Sequence, residues 1–77
     1  MADDRPDRTV DKTKRGGLPA PFTTRAWVGP GSGQPCSGCD DMINRAETEY
    51  EIELQQTVIF RFHVECYRAW LSCPVLR

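Results

Sequence analysis

Four side chains restrict what this chain can become. Cys36 and Cys39 have two residues between them, His63 and Cys66 have the same gap, and 23 residues separate the two pairs. The chain has 77 residues, which means one domain at most. A chain of that length buries little core and often needs a staple, such as disulfides, a metal or a partner. A Cys-x2-Cys turn folds two sulfurs onto one point. A His-x2-Cys pair at the start of a helix puts two more donors on the same helical side. Four nitrogen and sulfur donors are what a tetrahedral structural zinc site takes. The spacing therefore predicts one zinc ion held by Cys36, Cys39, His63 and Cys66. Three thiolates and one imidazole close the coordination sphere and leave no place for an activated water, so no catalytic residue and no enzymatic role are expected.

Other uses of the cysteines stand beside this one. Four cysteines allow two disulfides in three connectivities, but that needs an oxidising compartment. The N-terminus MADDRPDRTVDKTKRGG is polar and charged, with no apolar signal region, and no apolar run is long enough to span a membrane. A reducing, cytoplasmic setting is the expectation. Cys36-Ser37-Gly38-Cys39 also fits a thioredoxin-like redox motif, which wants a βαβ context and leaves His63 and Cys66 unexplained. Cys73 competes with Cys66 for the fourth ligand place. On a continuous helix the two lie roughly 10 Å apart, too far to share one ion, so Cys73 is read as a free buried thiol.

Hydrophobic patterning places these residues on elements. Residues 1–21 are polar, charged and dotted with proline, a composition expected to stay disordered. Phe22, Trp27 and Val28 are the substantial apolar residues before the cysteines, and Gly29-Pro30-Gly31-Ser32-Gly33 has the composition of a flexible connector. It lacks the Gly-Lys-Ser/Thr ending of a phosphate loop. Trp27 either docks on the folded part or stays free in the linker. The expected division is a tail and linker over 1–27 and a metal-binding module over 28–77. Gly38, between the first two cysteines, is expected to serve a tight turn at positive φ.

Residues 49–54 alternate strictly, with Tyr50, Ile52 and Leu54 on one face and Glu49, Glu51 and Glu53 on the other, and residues 57–63 alternate again with Val58, Phe60 and Phe62 on one face. Two half-buried strands joined near Gln55-Gln56 are predicted, with Arg61 able to pair across to Glu51 or Glu53. Residues 64–73 read as a short helix. Glu65 suits its first turn, Pro74 stops it, and Cys66, Ala69, Trp70 and Cys73 share one face. The fold class is small α+β.

Charge distribution bears on partners. Residues 1–35 hold six cations and four anions, while residues 36–77 hold four cations and seven anions. The part expected to fold is therefore acidic, which counts against binding a phosphate backbone. The Lys12-Lys14-Arg15 cluster is a solvated tail or a weak contact for an acidic partner. Asp40 and Asp41 read as solvated loop residues beside the metal turn.

The arrangement of knuckle, hairpin and helix carrying the second ligand pair resembles a treble-clef zinc finger. Phe62-His63-Val64-Glu65-Cys66-Tyr67 is similar to the Phe-His-x2-Cys-aromatic signature in the first half of LIM domains. Together with Cys36-Ser37-Gly38-Cys39-Asp40-Asp41-Met42-Ile43 it is also similar to the fingers of poly(ADP-ribose) polymerases, and the longer stretch from Val28 to Trp70 looks like small bacterial zinc-finger proteins of unassigned function. The resemblance covers residues 36–70 and carries over ligand by ligand onto Cys36, Cys39, His63 and Cys66. It is specific for the metal site and not for function. The closed site and the acidic charge of the folded part lead instead to the expectation of a monomeric, non-enzymatic module that binds a protein partner, with the Glu49-Glu51-Glu53 face as a candidate surface. Nucleic-acid binding through the basic tail with Arg61 or Arg68 is the alternative.

Overall fold

The computed structural model describes residues 4–19, 25–54 and 58–73. In chain order these form helix α1 (Arg5–Lys14), strand β1 (Arg25–Pro30), strand β2 (Thr48–Leu54), strand β3 (Val58–His63) and helix α2 (Val64–Ser72). The three strands make one antiparallel sheet in the order β1-β2-β3.

The β2–β3 hairpin follows from its alternation. Tyr50 pairs with Phe62 and Ile52 with Phe60, while Glu49 pairs with His63 and Glu51 with Arg61. One face of the hairpin is thus aromatic and aliphatic and the other is charged. The apolar face meets α2. Ile52, Phe62 and Trp70 are fully buried, with the Phe62 and Trp70 rings stacked at 5.1 Å and Tyr50 and Tyr67 at 4.3 Å. Such ring pairs contribute about 0.5–1.5 kcal/mol each beyond their burial. The expected helix face is present, with Cys66, Trp70 and Cys73 all buried. The turn at Gln55-Gln56, the side chain of Leu54, Phe22 and Pro74 lie outside the described residues.

Two expectations are corrected. The sheet has a third strand where a linker was expected. Arg25–Pro30 pairs along the free side of β2, Ala26 with Ile52 and Val28 with Tyr50. The division at residues 27 and 28 therefore falls inside β1. Trp27 is neither free nor in the core. It lies opposite Glu51 on the charged face, 47% exposed.

The second correction concerns residues 1–21. Over their described part, the chain forms a ten-residue helix rather than a disordered tail. Pro6 sits in the first turn of α1, where its fixed φ and missing N–H cost nothing. The helix buries Thr9 completely and packs on α2. After it, Leu18 is buried and the Trp70 indole N–H donates to the Pro19 carbonyl at 2.9 Å. This segment has too few apolar residues to fold alone, and its order comes from the surface it covers.

Candidate metal centre

The corner between the sheet and α2 gathers the four residues singled out above. Pro35 bridges Met42, which returns the chain on itself, and the Cys36 N–H donates to the Asp41 carbonyl at 2.8 Å. The Asp40 N–H donates back to the Cys36 carbonyl at 3.0 Å, closing the turn. The left-handed residue of this turn is Asp40, with φ 71°, while Gly38 has no positive φ. That corrects the reason given for Gly38. Its lack of a side chain is needed because Thr9 of α1 lies against it. A Cβ there would collide with Thr9 Oγ1 and stand 2.9 Å from Thr9 Cγ2. His63 ends β3 and precedes the first residue of α2, and Cys66 follows in the first turn of that helix.

Cys36, Cys39, His63 and Cys66 are all buried, and their donor atoms lie within 4.8 Å of one another, a cluster that can hold a metal ion. His63 Nδ1 is 3.4 Å from Cys39 Sγ and 3.7 Å from Cys66 Sγ. In a tetrahedron with metal–sulfur bonds near 2.3 Å and metal–nitrogen near 2.0–2.1 Å, the sulfur–nitrogen edge is roughly 3.6 Å. The donor set and its spacing fit. The other ring nitrogen is occupied, since His63 Nε2–H donates to the Met42 carbonyl at 3.2 Å with Glu47 Oε1 at 3.5 Å. That contact fixes the tautomer and leaves Nδ1 as the coordinating atom.

The thiols are unequal. A hydrogen bond from Cys66 lowers the Cys36 thiol to about 4, burial raises that of Cys39, and Cys66 is pushed up chiefly by its role as donor to Cys36 and then by burial. One thiolate and two protonated neighbours are the arrangement these groups favour among themselves. A cation held by the four residues would supply the positive charge that ionises the other two thiols. All four cysteines are free thiols. Cys73 stands outside the cluster, its thiol donating to the Ala69 carbonyl at 3.3 Å, in accord with the expected buried thiol.

A set of contacts missed by sequence reasoning ties α1 to this corner. Arg8 donates to the Cys39 carbonyl and to Asp41, both at 2.8 Å. Lys12 donates to the Ser37 carbonyl at 2.9 Å and to Asp40 at 2.8 Å, and Arg5 pairs with Glu47 at 2.9 Å. Asp40 and Asp41 are thus ion-paired rather than merely solvated. Arg8 holds the Asp41 carboxyl below its ordinary range, and the Asn44 N–H followed by Arg5 does the same for Glu47. The signal was present in the sequence. Arg5, Arg8, Thr9 and Lys12 fall at i, i+3, i+4 and i+7, one helical stripe, but the stripe is polar, so an apolar search passes over it.

The remaining charges are largely absorbed. Arg61 approaches Glu49 at 3.5 Å and Glu51 at 4.0 Å, and Glu49 is buried with Ser32 donating to it through both its N–H and its hydroxyl. Arg25 lies 4.0 Å from Glu53 and Arg15 2.9 Å from Asp11. No helix among the described residues is long and apolar enough to cross a membrane. No protein-family model matches the chain, and neither a curated protein nor a solved structure does.

Proposed function

We propose that this chain is a non-enzymatic module, stapled by one structural zinc ion of treble-clef type, whose task is to bind a protein partner. The observation that carries the reading is the four-donor cluster, buried on every member and held in place by contacts to both helices and the sheet. A set of three cysteine sulfurs and one imidazole favours zinc over hard cations, which take oxygen ligands. Four protein donors close a tetrahedron, so a bound ion would organise the fold rather than activate water. Keeping three buried thiols available as ligands suits a reducing, cytoplasmic setting.

A protein partner is favoured over nucleic acid by the use already made of the cations. Arg5, Arg8 and Lys12, part of the basic segment that would have met phosphates, are turned inward onto the metal corner. Arg61 is engaged by glutamates. Lys14, Arg45 and Arg68 are the cations with no ion pair among the described residues, too few for the basic surface that counterion release requires. The test has two parts. Elemental analysis of folded, reduced protein should return one zinc per chain, and none would overturn the metal reading. Gel-shift titration near physiological salt should show at most weak binding to duplex and single-stranded DNA. Submicromolar affinity would replace the protein partner with nucleic acid.

A further inference from the structure

The two edges of the sheet are treated differently. In an antiparallel ladder, residues alternate between turning their N–H and C=O toward the neighbouring strand and turning them away. On the β3 edge, the outward groups of Arg61 are taken by the metal turn. The Ser37 N–H donates to the Arg61 carbonyl at 2.7 Å, and the Arg61 N–H donates to Ser37 Oγ at 3.2 Å. On the β1 side the phase is set by the Gly31 N–H donating to the Glu47 carbonyl at 2.8 Å, one step beyond the strand. Counting back by twos, Gly29, Trp27 and Arg25 bond inward to β2, and Ala26, Val28 and Pro30 face outward. Among the described residues nothing pairs with them. An open edge of this kind is a template for another strand.

We propose that β1 pairs antiparallel with β1 of a second copy of this chain, about a two-fold axis at Val28. The strand is self-complementary in that register. The Val28 N–H and C=O of each copy exchange hydrogen bonds. Ala26 comes opposite Pro30, so the Ala26 N–H meets the Pro30 carbonyl, while the Ala26 carbonyl faces the proline nitrogen and is left to water. Trp27, half exposed on the charged face, comes opposite Gly29 of the second copy. A Cβ added at Gly29 would meet nothing within 4 Å, so there is open space for the indole, and covering a strand glycine with an aromatic ring is favourable. On the other face Val28, 62% exposed, meets its own counterpart. Charge agrees as well. Arg25, loosely held and exposed, comes opposite Gly31, whose flank carries the Ile43 and Asn44 carbonyls and whose strand neighbour is Glu47. Those carbonyls already accept the Gly33 and Glu47 N–H groups, so Arg25 of the second copy would reach their remaining lone pairs only.

The pairing buries a small area and is therefore weak and reversible. It deepens the reading of the chain as a protein-binding module, and the two fail separately, because loss of self-pairing leaves capture of an unlike partner and zinc content untouched. The test is sedimentation of the whole zinc-loaded chain from micromolar to about 1 mM, with amide exchange read at Ala26 and Val28. The natural chain should move from one toward two copies as concentration rises, with both amides slowing in step. Val28→Pro removes an N–H that faces outward and should weaken association by about 30-fold, two hydrogen bonds being lost because symmetry applies the substitution twice. Gly29→Val fills the space meant for Trp27, with a residue that strands favour, and should fold normally yet pair less. A single-copy mass at every concentration would overturn the proposal. So would undiminished association in both variants, or protection of the two amides at every dilution, which would show the edge covered by its own chain.

Discussion

The two helices are nearly the same length, ten residues in α1 and nine in α2, and are held by opposite means. α2 is fixed by aromatic packing, with Trp70 buried on Phe62 and Tyr67 stacked on Tyr50. α1 offers Thr9 as its buried residue and is fixed by cations. Arg5, Arg8 and Lys12 reach carbonyls and carboxylates of residues 37–47. The difference teaches that α1 depends on α2's surroundings and not the reverse. The carbonyls of Ser37 and Cys39 are aimed at α1 only while the cysteine turn keeps its shape.

The largest perturbation should erase the contrast. With the proposed zinc bound, chelation, or Cys66→Ser, should remove both helices together, since structural zinc contributes about 10 kcal/mol to the folding of zinc-finger peptides. Loss of amide dispersion in NMR is the readout, and a chelated protein that keeps α2 would break the comparison. Phe62→Ala, at about 3–5 kcal/mol, attacks α2's seat directly and should lower the thermal midpoint of the whole chain.

Gly38→Ala should act on α1 alone. The new Cβ collides with Thr9, at an expected cost of about 1–3 kcal/mol, and exchange of α1 amides should quicken while those of α2 hold. Thr9→Ala should recover part of that loss, and a double-mutant cycle showing no coupling would mean the two residues do not meet. Cys73→Ser, outside the metal cluster, should cost about 1 kcal/mol and leave metal content unchanged.

Salt should produce the smallest effect and the most selective one. Exposed ion pairs weaken as the Debye length falls to about 3 Å in 1 M salt, so α1 should loosen while the aromatic seat of α2 does not. Acid acts in the same direction. The carboxyls of Asp41 and Glu47 sit below their ordinary range in the folded chain. Their contribution is complete above the ordinary carboxylate range and is lost as pH falls through the depressed values. Protonation of the thiols would also release a metal bound there on the same descent, so the salt titration separates the two helices more cleanly.

What was legible in the sequence divides along the same line. The ligand spacing, the alternation of residues 49–54 and 57–63 and the apolar face of residues 66–73 each carry a periodic signal that local physics reads directly. α1 carries its periodicity in polar residues, and a polar stripe becomes meaningful only once the acidic turn it meets is known. β1 was hidden because Gly29 and Pro30 read as a connector, and because Ala26 and Val28 bury little. The turn geometry at the cysteines went unread because a glycine suggested positive φ where close approach of Thr9 was the constraint, while Asp40 took the left-handed conformation. The contact of His63 with Met42 joins residues 21 apart, a separation no local pattern reports.

If the cluster holds the proposed metal, Ser37 has a consequence for the fate of chains from which that metal is removed. By bonding to Arg61 it serves as a false neighbour to the last strand, and it stays there only while the cysteine turn is tied down. A sheet with one bare margin can join with one other and stop. A sheet with two bare margins can be joined on both sides without end, as any open head-to-tail contact can. Chelation should unfold most chains, but any that keep the hairpin then have both margins bare, so association should change from a pair that saturates to fibrils that lengthen. Light scattering that rises on chelation and is suppressed by restoring zinc would mark that change, and clear solutions after chelation would count against it.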